Sequence, residues 1–416
     1  MTDGRAAVPS DYYLATHSNV QGWGGGVAVV RGLGNALGRA GYKTLLLGVD
    51  EASGEPADPR DSGWLNVPTG VPRRWWRVRN WFVVKTLARS LRRLPPPRCA
   101  LVTVNPIWVV AAKQAWPGTP VVFIFAALLA NCLPFTWPAG RPTLWQWLNY
   151  LGIRRIEHAA LRLADRILTP TRQALQEIGV FEPSAHERAV VRRYGCDVRA
   201  VPASIRRAQR QALGLPSDAC VALALGVCER NKAFDLAVRE LPAVNERLHL
   251  VVVGEGPQRA ELVALAAQLG LAHRVHVVGP QPDVEPWYAV ADCVVSTSCY
   301  DTFPYSLLDG MARGRAVVVP QHMPPRVYSG IAEVIAADGG GVRFDRERPG
   351  SLAAQLNHLA NDPPYRAALG RQAQYIASRQ FRWEPVIAAL PGAEPAPGEP
   401  DTSGAALAGA VAVAGR

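Results

Sequence analysis

The chain has 416 residues, 49% of them hydrophobic, with 45 Lys or Arg against 34 Asp or Glu and a formal net charge of +11. That length exceeds one ordinary hydrophobic core and suits two domains of about 150 to 200 residues each. Seven scattered cysteines without a Cys-x-x-Cys pair, and eight histidines without metal-ligand spacing, indicate neither a disulfide framework nor a zinc site. Residues 1–10 read as a loose tail, and the N-terminus shows no signal-peptide pattern. Residues 12–17, ending at His17, read as a first strand. Residues 22–26 form a glycine loop containing Trp23, Gly25 and Gly26. Apolar residues at helical spacing over 27–40 and an apolar run over 44–48 complete a strand, Gly loop, helix, strand unit. Glycine lets backbone approach a phosphate or sugar, but Gly-Gly pairs are commonly only turns. The loop does not fit the spaced Gly-x-Gly-x-x-Gly fingerprint.

Charge is unevenly placed. Residues 1–200 hold 25 Lys or Arg against 13 Asp or Glu, whereas residues 201–416 hold 20 against 21. No acid occurs between Asp61 and Glu157, where thirteen basic residues fall. Within that interval, residues 73–94 interleave tryptophans and leucines with arginines, among them Arg73 and Trp76, at near-helical spacing. Such a segment suits a helix lying on an anionic membrane, or a plain surface helix with solvated arginines. A nucleic-acid surface finds no supporting motif, and no nucleic-acid partner is expected. The uncharged run 114–140 is cut by Pro117, Pro120, Asn131 and Pro134, which leaves it short of the roughly eighteen apolar residues a span needs. A cytoplasmic protein, either soluble or peripheral at the inner face of the membrane, is expected. Strands are predicted near 100–104, 119–125 and 166–169, with a helix over 157–165 before the last. Strands alternating with helices at these lengths indicate parallel sheets.

Residues 195–197 and 201–203 read as a linker. The domains are expected at 11–200 and 201–380, followed by a segment 381–390 and an Ala, Gly, Pro and Glu-biased disordered tail 391–416. The second half carries the most informative stretch, residues 293–319. It reads as a strand, a loop with Asp301, a helix with Asp309, a Gly turn and a second strand. Pro304 fits the first turn of that helix, since its missing N–H would be unpaired there. Free amides at the helix start, with the helix dipole, attract an anion such as a diphosphate. Two carboxylates separated by seven residues can hold sugar and ribose hydroxyls beside it. The plainer alternative makes Asp301 a helix cap and Asp309 a solvated helix residue.

This segment resembles the retaining glycosyltransferases of family 4, in which Glu, seven residues and Glu precede an Ala-Met-Ala-Gly turn; Asp301 and Asp309 stand at the Glu positions here, followed by Gly-Met-Ala-Arg-Gly. Residues 226–235 resemble the family's phosphate loop. Lys232 falls on its Lys, while Val227 replaces its Arg and Ala233 its Gly; Arg230 offers a displaced positive charge. Residues 251–257, with Gly254, resemble the strand and turn near the nucleotide. Residues 274–281, with Pro280 and Gln281, resemble the strand whose loop carries the base. The family's His after its middle N-domain strand is Ala126 here, so either His17 replaces it or the site is different. Residues 383–390 resemble the segment that crosses back to the first domain, and Glu333 a further family loop.

The resemblance implies an α/β protein of GT-B architecture, two facing Rossmann-like domains with a cleft between them. It implies a retaining transfer of a hexose-type sugar from a UDP- or GDP-linked donor to a hydroxyl acceptor. No cofactor and no metal are expected; Lys232, Arg230 and the amides around Thr302, Phe303, Tyr305 and Ser306 would stabilise the leaving diphosphate. Asp301 and Lys232 would be catalytic. His17, Trp23, Arg73 and Trp76 would face the acceptor, an envelope polysaccharide or glycolipid. The alternatives are a soluble natural-product acceptor, a non-catalytic assembly subunit of the same architecture, and a nucleotide-sugar epimerase.

Overall fold

The structure is a computed structural model in which residues 10–16, 24–50, 64–68, 80–136 and 142–393 are described. Two parallel sheets organise them. The first contains β1 (Tyr12–Ala15), β2 (Thr44–Asp50), β3 (Trp64–Pro68), β4 (Ala100–Thr103), β5 (Val121–Ile124), β6 (Arg166–Thr169) and β7 (Ala189–Val191), in the order β3-β2-β1-β4-β5-β6-β7. The second contains β8 (Cys220–Leu225), β9 (Leu248–Val253), β10 (Val275–Val278), β11 (Cys293–Val295), β13 (Ala316–Pro320) and β15 (Gly341–Phe344), in the order β10-β9-β8-β11-β13-β15. Both are doubly wound, with the strand order reversing between β1 and β4 and between β8 and β11.

The strands form because they are short, apolar and covered on both faces. In β1, Tyr12 and Leu14 enter one buried cluster while Tyr13 and Ala15 enter another. In β9, Leu250 and Val252 face one side and Val251 and Val253 the other. Burial on both faces explains why these strands read as continuous apolar runs instead of alternating patterns. The sequence-predicted strands at 100–104, 119–125 and 166–169 correspond to β4, β5 and β6.

The helices that matter for the site are α1 (Gly25–Arg39), α2 (Asn80–Leu91), α3 (Leu144–Leu163), α4 (Arg172–Phe181), α5 (Tyr305–Ala312), α6 (Ile331–Asp338) and α7 (Glu384–Ala388). The helix expected over 157–165 is the last part of α3. The full helix starts at Leu144 because Thr143 and Gln146 form a reciprocal capping box. Asp301 also departs from expectation: it lies in a two-residue strand β12 (Tyr300–Asp301) that pairs in parallel with β14 (Tyr328–Ser329), not in a loop. Pro304 sits at the N-cap position, one residue before α5, and not in its first turn.

The chain ends its described part against the first sheet. A Cβ added to Gly32 of α1 would meet the Trp383 ring at 2.5 Å, and one on Gly195 would meet it at 2.3 Å. Arg166 donates to the Ala389 carbonyl at 2.8 Å, and Tyr12 Oη to the Pro391 carbonyl at 2.8 Å. No described helix is long and apolar enough to cross a membrane.

Candidate active site

Open parallel sheets place ligands beyond the carboxyl ends of their strands, where the strand order reverses. In the second sheet that point lies between β8 and β11, and the segments leaving those two strands carry Lys232 and Asp301. The two side chains meet: Lys232 Nζ donates to Asp301 Oδ2 at 2.5 Å. Both are largely buried, with 25% and 15% of the side chain exposed. Burial alone would lower the Lys232 pKa, but the Asp301 carboxylate outweighs it and raises it, so the ammonium stays charged. Asp301 therefore caps no helix. Its carboxylate holds the one lysine that had been read as a phosphate ligand.

Asn231 fixes this pair from below. It is buried, donates from Nδ2 to the Tyr300 carbonyl at 3.0 Å and accepts the Tyr300 amide at 3.0 Å. Its neighbour Ala233 adopts a left-handed conformation, φ 47°, at the position where the resembling loop has glycine. The backbone shape of the loop is thus kept at some strain without the glycine. Gly254, φ 151°, follows β9 and touches the same loop. A Cβ there would come within 1.8 Å of the Gly226 carbonyl, so the two loops close backbone to backbone. Arg230 is exposed beside them, while Pro280 and Gln281 follow β10 at the rim.

Helix α5 opens toward the crevice. Pro304 supplies no side-chain cap, and the amides of Tyr305 and Ser306 have no protein acceptor among the described residues. Uncapped amides at a helix N-terminus suit an anion. Gly25, at the start of α1, faces them: its added Cβ would lie 3.5 Å from Tyr305 Cβ. The glycine loop and α5 therefore converge across the two sheets, with Gly26 following in the first turn of α1. Phe303 is buried against Tyr194 and Phe381, and Tyr305 Oη donates to the Gly195 carbonyl at 3.1 Å.

Asp309 sits more than one turn into α5. Arg313 Nη1 donates to its Oδ1 at 3.1 Å, and Arg313 Nη2 reaches Glu285 Oε2 at 2.6 Å. Burial pushes the Asp309 carboxyl up, and the guanidinium opposes that. Asp309 is therefore not the solvated helix residue of the plainer reading; it is one of two carboxylates held by a buried arginine. The i,i+4 spacing of Asp309 and Arg313 is legible in sequence, but the Glu285 partner is not.

The first sheet reaches the same strand β12. Tyr300 Oη donates to Glu177 Oε1 at 2.7 Å and accepts the Leu128 amide at 3.1 Å. Asn131 donates to the same Glu177 oxygen at 2.5 Å, and Thr302 Oγ1 donates to the Ala126 carbonyl. Both neighbours of Asp301 are thus tied to the segment after β5, Tyr300 through the Leu128 amide and Thr302 through the carbonyl of Ala126, the residue standing at the family's histidine position. Burial raises the Glu177 carboxyl while Tyr300 and Asn131 oppose it. The contacts of Tyr300 and Thr302 span more than a hundred residues in sequence and have no local signature. His17, Trp23, Arg73 and Trp76, assigned to the acceptor side, lie outside the described residues.

Two family models match the chain: "Glycosyltransferase Family 4" over residues 23–200 and "Glycosyl transferases group 1" over residues 205–375. The D-inositol 3-phosphate glycosyltransferase of Thermobispora bispora is 31% identical over 248 residues, 56% of this chain and 56% of that protein. The protein of the same description from Streptosporangium roseum is 28% identical over 296 residues, 67% and 64% of the two chains. The chain thus spans between half and two thirds of the length of these curated relatives. Among solved structures, Anabaena HepE in complex with UDP and glucose superposes with a TM-score of 0.70 at 16% identity, covering 91% of this chain and 97% of that one. WaaG, a glycosyltransferase involved in lipopolysaccharide biosynthesis, gives 0.72 at 18%, covering 92% and 100%. At these identities the structural likeness establishes the fold, which is GT-B.

Proposed function

The chain belongs to the family 4 glycosyltransferases, and from that premise we propose that it moves a hexose-type sugar from a UDP- or GDP-linked donor to a hydroxyl acceptor. The observation that carries this reading is the Lys232–Asp301 pair, set at the strand-order reversal beside the uncapped start of α5. The donor diphosphate would take the amides of Tyr305 and Ser306 and one of the remaining Lys232 N–H bonds. As the sugar–oxygen bond breaks, charge grows on the leaving diphosphate. Fixed donors in a site shielded from water stabilise that charge more than they stabilise the intact donor. Lysine and helix amides would serve here in place of a metal or other cofactor. Asp301, on the opposite side of Lys232, would accept hydroxyls of the transferred sugar and hold its anomeric carbon in place. Asp309 would turn its second oxygen to the ribose. Retention of configuration follows the family pattern, and NMR of the product anomer tests it.

The test of the donor reading is mass-spectrometric screening of UDP- and GDP-sugars for nucleoside diphosphate release, repeated with Asp301→Asn. The variant should fold and lose at least about a hundredfold in turnover, the scale of removing a preorganised polar group. Full turnover in the variant contradicts the role of Asp301. Absence of release with every donor favours a non-catalytic assembly subunit, the reading that Ala126 and the engaged Asp309 support.

For the acceptor we propose envelope polysaccharide or glycolipid, reached by peripheral contact with an anionic membrane. Supporting it are Trp81 and Phe82 on α2 with Leu144, Trp145 and Trp147 on α3, all exposed, in the half of the chain with the basic excess. Trp145 is 65% exposed. Interfacial tryptophans beside lysine and arginine suit a headgroup layer. Co-sedimentation with phosphatidylglycerol vesicles should fall several-fold when Trp145 and Trp147 become Ala. Unchanged sedimentation, or equal binding to neutral vesicles, counts against it. The named activity of the relatives supports the second reading, a soluble cyclitol-type acceptor.

A further inference from the structure

A cleft of about 390 Å³ lies apart from the Lys232–Asp301 crevice and is lined by Arg172, Gln173, Gln176, Gln321, His322, Ala332, Glu333 and Arg343. One wall is the first turn and a half of α4, directly after β6. The other is the segment leaving β13, the start of α6, and β15. The cleft therefore bridges the two sheets, again at the carboxyl ends of parallel strands. We propose that it is a second binding site, one that takes a phosphate-bearing group and holds it between the two domains.

Arg172 and Arg343 are both exposed at the mouth of the cleft, and neither has a carboxylate partner among the described residues. Two guanidinium groups from different domains line one cavity against a single carboxylate, so the lining carries a net positive charge that favours an anion. A guanidinium presents paired N–H bonds that match phosphate oxygens. His322 adds a neutral donor: its Nδ1 accepts the Ser329 amide at 3.3 Å, which leaves Nε2 as the protonated nitrogen. The three glutamines can donate to and accept from hydroxyls on the body that carries the phosphate.

Glu333 is the opposing group. Its Oε2 lies 3.5 Å from the Gln173 amide, within the first turn of α4. It occupies the helix-end position that an incoming anion would take, and it is the one carboxylate of the lining. The sign of its effect on binding is therefore fixed in advance.

The test is isothermal titration of the full chain with sodium phosphate and with glycerol 3-phosphate, at constant ionic strength. Both should bind the wild type. Arg172→Gln and Arg343→Gln should each weaken binding about tenfold, as expected for loss of a charge-assisted pair. Glu333→Gln should tighten it. UDP and GDP titrations should be unchanged in all three variants, which separates this site from the donor crevice. Tighter binding of glycerol 3-phosphate than of phosphate assigns the site to a phosphorylated organic ligand; equal affinities assign it to free phosphate, and either supports the site. Failure of both anions to bind the wild type, or wild-type affinity in both arginine variants, overturns it.

Discussion

Arg313 holds two carboxylates at once, and that fixes what Asp309 can do. Its guanidinium is 7% exposed, lies 4.8 Å from the Tyr288 ring centre, and pairs with both Glu285 and Asp309. Burial would lower its pKa, yet the Glu285 hydrogen bond and the Asp309 charge raise it, so it stays protonated. Asp309 keeps one oxygen for a ligand, and its direction is set by the arginine. Replacing Arg313 with Met leaves two half-buried carboxylates without their shared counter-charge. That change should cost about 3 kcal/mol of stability in urea melts. It should also raise the donor KM more than it lowers kcat, because the ribose contact and not the reacting carbon is disturbed. An unchanged KM would show that Asp309 does not hold the donor. Arginine four residues after an aspartate is visible in sequence; that it would claim the second acid of the motif is not, because Glu285 arrives from another helix.

At the scale of elements, the site is a strand, β12, suspended between two sheets. The segment after β5 grips Tyr300 and Thr302, while Asn231 grips the backbone of Tyr300 from the other side. That segment is itself anchored by Glu157 of α3, which accepts the Leu129 and Ala130 amides at 2.5 and 3.1 Å. Burial lifts the Glu157 carboxyl to about 8 against the pull of those amides. A carboxyl raised in the folded state binds its proton there more tightly than in the unfolded chain. Its contribution is complete below the unfolded pKa and is lost as pH rises through about 8. Wild-type stability should therefore fall across that interval, by at most about 1.4 kcal/mol per pH unit from this group. Glu157→Gln removes the loss, so the melting temperature of the variant should gain on the wild type between pH 5 and pH 8. Parallel melting curves at the two pH values would exclude that role. None of this anchoring is periodic, which is why helix α3 was legible only in its final turns.

At the scale of the whole molecule, the strands and their parallel arrangement were legible because both sheets are covered on both faces, and continuous apolar runs such as those of β9 and β13 announce it; the strand order was not. The order of motifs along the second half placed Lys232 and Asp301 in one crevice before any coordinates. Their mutual ion pair was not legible, since a strand pairing and not a sequence spacing brings them together. Cross-domain contacts at Tyr300 and Glu177 were equally hidden, whereas the return of the segment beginning at Trp383 to the first domain was expected from the resemblance. The account rests on this crevice receiving the diphosphate of a nucleotide. Isothermal titration of UDP and GDP into wild type and Lys232→Met tests it most directly. At least one nucleotide should bind the wild type, with affinity at least about tenfold weaker in the variant, the scale of a lost charge-assisted hydrogen bond. Equal affinity in the two proteins would contradict it.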